Sequence, residues 1–200
     1  MFINGTYQNQ RLIPKFDLAN LLICAPGVGV KKDFSCLITE RMTDLEIIGK
    51  SQCFPLYWYE DRSEMRSKNK QRSLFDNSES IIRHDGISDH ALKLAKSKFG
   101  DPVNKEDIFF YIYGYLHSTE YREAFSADLK LVLPRIHFVD NFDEFHSFSL
   151  AGRNLAEPHL NYENVEPPET LAFTGTKNID DLLKDPEKCR VDKMILKPDD

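Results

Sequence analysis

Between Asp61 and Arg72 the chain carries Arg62, Arg66, Lys68, Lys70 and Arg72, with almost nothing apolar among them. Side chains of this kind, close together, can neutralise phosphates, and each contact releases condensed counterions and strengthens binding at low salt. The stretch has no apolar periodicity to dock it on a core, so it also reads as an ordinary solvated loop. Immediately before it stand Phe54, Tyr57, Trp58 and Tyr59. Aromatics this dense could stack on exposed bases. Core packing is the commoner use of such residues, and alternate faces of one strand are the expected arrangement. A smaller basic pair, Lys31 and Lys32, closes the run "PGVGVKK".

Other chemistry finds less support. "PGVGVKK" lacks the GxxxxGK[ST] spacing of a phosphate loop, and Asp33 follows where a hydroxyl would be needed, so a tight turn is expected. His84, His90, His117, His137, His146 and His159 are scattered without cysteine or carboxylate at ligand spacing, which leaves no expected metal site. "ADLK" (127–130) resembles a nuclease D-x-K but falls on an expected helix rather than a strand. No serine or cysteine occupies a nucleophile elbow. No Gly-rich cofactor loop and no [NDS]PP[YF] element, with which amino-methyltransferases hold a flipped base, is present. Catalytic residues and cofactors are therefore not expected. Cys24, Cys36, Cys53 and Cys189 form no CxxC pair and read as reduced, mostly buried thiols.

The elements that must position the basic stretch divide the chain in two. The first third offers four short apolar runs as strands: within 20–30, at 34–39, at 45–49, and at 53–60, where Pro55 belongs near a strand start or at a sheet edge. The middle is helical. Ser88 is placed to cap "DHALKLAKSKF", which Gly100 closes, and Asn104 to cap "KEDIFFYIYGYLH", which is apolar nearly all round and should be buried. Ser118 or Thr119 should start a helix "EYREAFSADLKLVL" that Pro134 stops, and another should span 141–156 with Pro158 just beyond. Residues 1–163 are expected to form the domain core. Residues 164–200 read as a linker leading to a strand at 189–197, close enough to the last residue to suggest a fragment. The fold class is α+β, a strand-rich first half packed on a helical second half.

A chain of 200 residues can bury a core without staples, and 41% hydrophobic residues are enough to form one. The net charge of −6 sets it apart from globally basic nucleic-acid binders. That average conceals an asymmetry: residues 1–83 carry 12 Lys and Arg against 10 Asp and Glu, and residues 84–200 carry 14 against 22. An anionic partner should meet the first half. With no charged-then-apolar leader and only short apolar runs, a cytoplasmic protein is expected.

The stretches "DFSCLITERMTDLEIIGKSQCFPLYWYE" (33–60), "KEDIFFYIYGYLHSTEYREAFSADLKLVLPRI" (105–136) and "AGRNLAEPHLNYE" (151–163) resemble, in order and spacing, the carboxy-terminal specificity domain of type ISP restriction–modification enzymes, often labelled predicted helicases. "VDKMILK" (191–197) is similar to the start of that family's next strand, and His137 departs from the proline expected after "PRI". The resemblance implies a target-recognition domain that holds duplex DNA against an adenine methyltransferase. It places the nuclease, translocating ATPase and methyltransferase elsewhere in the same polypeptide. Base-edge contacts would then specify the site and phosphate contacts would position the domain. For positioning, the residues expected are Arg62, Arg66, Lys68, Lys70 and Arg72, then Lys31 and Lys32. The alternative is a structural coupler that docks on the methyltransferase and ignores DNA, which the acidic second half would suit.

Overall fold

The computed structural model describes residues 12, 18–30, 33–44, 46–61 and 81–166. The chain divides into two units, Met1–Glu163 and Asn164–Asp200, and the elements described belong almost wholly to the first. The strand expected at 189–197, and Cys189 with it, lies outside the described residues.

Three strands, β1 (Leu22–Ala25), β2 (Leu37–Thr39) and β3 (Gln52–Pro55), form an antiparallel sheet in the order β2–β1–β3. The all-apolar run LICA makes β1 the central strand, buried on both faces. One face sends Ile23, Ile38 and Phe54 toward Phe109, Phe110 and Tyr113 of the main core. On the opposite face Leu22 and Cys24 form a smaller cluster with Leu12, Ile48 and Cys53. Pro55 ends β3, an edge strand, where its missing amide donor costs no ladder bond.

The apolar run at 45–49 is a turn, not a strand. Asp44 accepts the Glu46 amide on its side chain at 2.7 Å, and Gly49 and Lys50 have positive φ of 97° and 45°. Strand backbone excludes such angles. The run at 53–60 also departs from expectation, because Leu56 interrupts it and the chain passes into a second sheet. There β4 (Tyr57–Asp61) pairs antiparallel with β5 (Ile81–Asp85), a strand that sequence reasoning did not anticipate.

The helices follow the sequence signals more closely. Ser88 caps α1 (Asp89–Phe99) and Gly100 ends it at φ 94°. Asn104 and Asp107 form a reciprocal capping box on α2 (Lys105–His117). α2 is buried nearly all round, and Tyr111 and Tyr113 are 0% exposed. Their hydroxyls still find partners: Tyr111 donates to His137 O at 2.6 Å, and Tyr113 bonds His159 Nδ1 at 2.5 Å.

α3 (Thr119–Ala124) stops well short of Pro134. Leu131 and Val132 are 67% and 43% exposed, so the apolar residues that suggested a longer helix have no core to face. Asp128–Lys130, including most of "ADLK", is a single 3₁₀ turn. From there the chain has no regular secondary structure, and Ile136, Phe138 and Val139 return to the core. α4 (Phe142–Leu160) outruns its expected end at 156 and takes Pro158 into its last turns. α4 crosses α2 at unusually close range: a Cβ on Gly114 would meet Phe148 O at 2.3 Å, and one on Gly152 would meet Phe110 O at 2.0 Å. Only glycine at both positions permits this approach. No helix among the described residues is long and apolar enough to cross a membrane.

Candidate nucleic-acid interface

The five expected phosphate contacts, Arg62, Arg66, Lys68, Lys70 and Arg72, lie outside the described residues, as do Lys31 and Lys32. Their flanks are described. Asp61 ends β4 and stands directly across from Ile81, the first residue of β5. Residues 62–80 are therefore the connection between two paired strands, leaving and re-entering one end of a ribbon. Lys31 and Lys32 belong to a different place, the connection from β1 to β2. Beside them Val30 lies against Gly49, and Asp33 pairs with Lys130 at 3.3 Å.

A buried amide lies at the root of the ribbon. Asn20, 4% exposed, donates from Nδ2 to Leu12 O and to Tyr57 O, both at 2.7 Å. Its Oδ1 accepts from Leu21 N at 2.9 Å and from Tyr57 N at 3.0 Å. One side chain thus satisfies backbone groups at the corner where β3 gives way to β4. Gly86, just past β5, donates to Leu56 O at 2.7 Å, and a Cβ there would fall 1.8 Å from Pro55 O. Tyr59, buried, donates its hydroxyl to Ala19 O at 2.9 Å.

Register then sorts the ribbon's side chains. Trp58 faces His84, with ring centroids 4.0 Å apart and planes 12° from parallel, and Glu60 Oε2 lies 3.1 Å from His84 Nε2. On the other face Arg83 lies over the Tyr57 ring at 4.3 Å. Tyr57 donates to Glu106 Oε1 at 2.7 Å, and burial followed by this carboxylate pushes its hydroxyl up to about 12. Packing therefore explains Phe54, Tyr57 and Tyr59. Trp58 is different, because its partner is a histidine on the ribbon itself, where sequence reasoning had placed only the edge of a turn.

Cations of the helical half are largely occupied. Lys105 bonds Asp85 at 2.7 Å and Asp89 at 2.6 Å, which holds its ammonium above the usual lysine range. Arg153 bonds Asp107 at 2.9 Å and lies 4.3 Å over the Phe110 ring. Lys98 meets Asp140 at 3.3 Å and Lys96 meets Asp101 at 3.9 Å. No group of three or more His, Cys, Asp or Glu that could hold a metal ion occurs among the described residues.

The sequence matches the profile of the Type ISP C-terminal specificity domain over residues 2–200. No curated protein matches it. Among solved structures, the DrdV–DNA complex seen by cryo-electron microscopy is 30% identical with a TM-score of 0.66, over 80% of this chain and 14% of that one. A nuclease-deletion mutant of the Type ISP restriction-modification enzyme LlaGI, in complex with a DNA substrate mimic, is 31% identical with a TM-score of 0.59, over 81% and 12%. The ATP-dependent Type ISP restriction-modification enzyme LlaBIII, bound to DNA, is 28% identical with a TM-score of 0.64, over 84% and 10%. This chain thus spans no more than 14% of the length of any of these three. The match over essentially its whole length places the chain in the Type ISP C-terminal specificity domain family.

Proposed function

We propose that this domain recognises a specific site in duplex DNA and holds that DNA for an adenine methyltransferase and a nuclease carried elsewhere in the same polypeptide. It needs no cofactor of its own for this, and it takes no catalytic part. Family membership and three DNA-bound structural relatives support the reading. The observation that supports the site assignment is the pairing of Asp61 with Ile81, since the basic stretch is the length of chain that joins these two paired residues. A ribbon of two antiparallel strands has dimensions that a DNA major groove admits. Arg62, Arg66, Lys68, Lys70 and Arg72 would contact phosphates along it, with Lys31 and Lys32 contributing from the β1–β2 connection.

The test is affinity for a generic duplex across a salt series, for the wild type and for a variant with the five ribbon cations changed to Ala. Wild-type binding should weaken steeply with salt, and the variant should lose both affinity and slope. Equal slopes would move the interface away from the ribbon. Absence of binding even at low salt would favour a coupler that docks on the methyltransferase and ignores DNA.

A further inference from the structure

The smaller cluster behind the three-stranded sheet contains a pair of thiols that DNA recognition does not use. Cys24 of β1 and Cys53 of β3 are direct partners in the antiparallel ladder, and their sulfurs lie 3.2 Å apart. Leu56 donates its amide to Leu21 O at 2.8 Å, one step beyond the Leu22–Pro55 pair. Counting along the ladder from that bonded position, Leu22–Pro55 and Cys24–Cys53 both fall at non-hydrogen-bonded positions. Pro55, with no amide proton, can occupy only such a place without loss. Non-hydrogen-bonded partners have the closest Cα atoms and side chains in an antiparallel sheet, about 4.5 Å between Cα atoms. That separation is at the short end of the range disulfides span.

We propose that Cys24 and Cys53 form a reversible thiol–disulfide site, oxidised by small hydroperoxides and reduced again by dithiols. The two sulfurs differ in a way that assigns their roles. Cys24 is fully buried, and Cys53 is only partly so. Thr43 Oγ1 lies 2.9 Å from Cys53 Sγ, so a hydroxyl and the Cys24 thiol can both donate to that one sulfur. These bonds favour the Cys53 thiolate, whereas the same contact and burial push the Cys24 thiol up. The thiolate is the nucleophile in such chemistry.

The Cys53 thiolate attacks one peroxide oxygen. The O–O bond breaks, Cys53 becomes a sulfenic acid, and the departing oxygen takes a proton as water. The Cys24 sulfur then attacks the Cys53 sulfur, the S–O bond breaks, and the hydroxide leaves with the Cys24 proton as a second water. Two thiols have lost two electrons and hydrogen peroxide has become two waters. Cys36 does not share this setting: burial pushes its thiol up to about 12, and it is not a ladder partner of either sulfur.

The whole chain, treated with a small excess of hydrogen peroxide, should be alkylated, digested without reductant and mapped by mass spectrometry. The expected product is a Cys24–Cys53 linked peptide, two hydrogens lighter than its parts and restored by dithiothreitol. Thr43→Val should slow its formation about fivefold near pH 7, since one donor to the thiolate is gone. Cys53→Ser, in case Cys24 variants fail to fold, should leave Cys24 and Cys36 alkylatable after peroxide. A sulfinic acid on Cys53 with Cys24 still free, linkage of either residue to another cysteine, or survival of both thiols would each overturn the proposal.

Discussion

In the α2–α4 pair, Gly114 and Gly152 let two backbones touch, and Phe109, Tyr111, Tyr113 and Phe145 fill the surroundings at 0–1% exposure. In the β4–β5 ribbon, Trp58 and His84 stack with both rings partly exposed, and Tyr59 is buried. α2 is enclosed nearly all round, and α4 packs on it along the one face that carries Phe145, Ser149, Gly152 and Ala156. The ribbon is held chiefly at its root, by Asn20, Gly86 and the Tyr59 hydroxyl. The charges differ in the same direction. Helical cations such as Lys105 and Arg153 are engaged by neighbouring carboxylates, and the densest cations in the sequence belong to the connection between β4 and β5. Under the proposed function the braced body would set position and the ribbon would carry the contacts to DNA.

Substitutions should separate the two regions. The largest effect on folding is expected from Gly114→Val, which forces a branched side chain into Phe148 O and drives the helices apart. A loss of about 3 kcal/mol or more follows, read as a drop in the denaturant midpoint. Asn20→Ala should come next, at on the order of 2–3 kcal/mol, because it strands backbone groups at the ribbon root. Its loss of duplex affinity should exceed what unfolding alone accounts for, a difference visible by measuring binding well below the melting temperature. Trp58→Ala should cost about 1 kcal/mol of stability through the lost ring stack. If Trp58 also touched DNA, affinity would fall more than stability, which would sharpen its assignment.

Beside these substitutions, His117 gives the helical half a pH dependence of its own. His117 Nδ1 accepts from Arg122 Nη2 at 3.1 Å, so its proton sits on Nε2, which is buried without a partner among the described residues. Burial, then the Arg122 charge, pulls its pKa down to about 4 from 6.5. The unfolded chain takes up this proton as pH falls through about 6.5 and the folded chain does so only near 4, so His117 erodes stability across that window and not above it. Melting temperatures of wild type and His117→Asn between pH 7 and pH 4.5 should converge as the pH falls.

The helices were legible in the sequence because their ends are written locally: Ser88, Asn104 and Gly100 act within a turn of the residues they cap. The ribbon was not, since β4 and β5 are separated by residues 62–80 and pairing between distant segments leaves no periodic trace. His84 looked like the flank of a turn for the same reason. "LEIIG" misled because its composition suits a strand while Gly49 and Lys50 adopt angles that no strand contains. The helix expected up to Pro134 was too long: Leu131 and Val132 face solvent, which their residue types do not reveal. The basic stretch was visible from composition alone. What composition could not supply was the anchorage of the flanking strands, where a buried asparagine that no motif announces joins Gly86 and the Tyr59 hydroxyl.

Lysine reactivity compares the two regions in a single experiment. The chain would be treated with an amine-modifying reagent, with and without a saturating duplex at low salt, and the modified positions quantified by mass spectrometry. Lys68 and Lys70 should be protected by the duplex, while Lys93 and Lys98 on α1, both exposed, should react as before. Protection of the α1 lysines with Lys68 and Lys70 left reactive would contradict the assignment and move the DNA to the helical half.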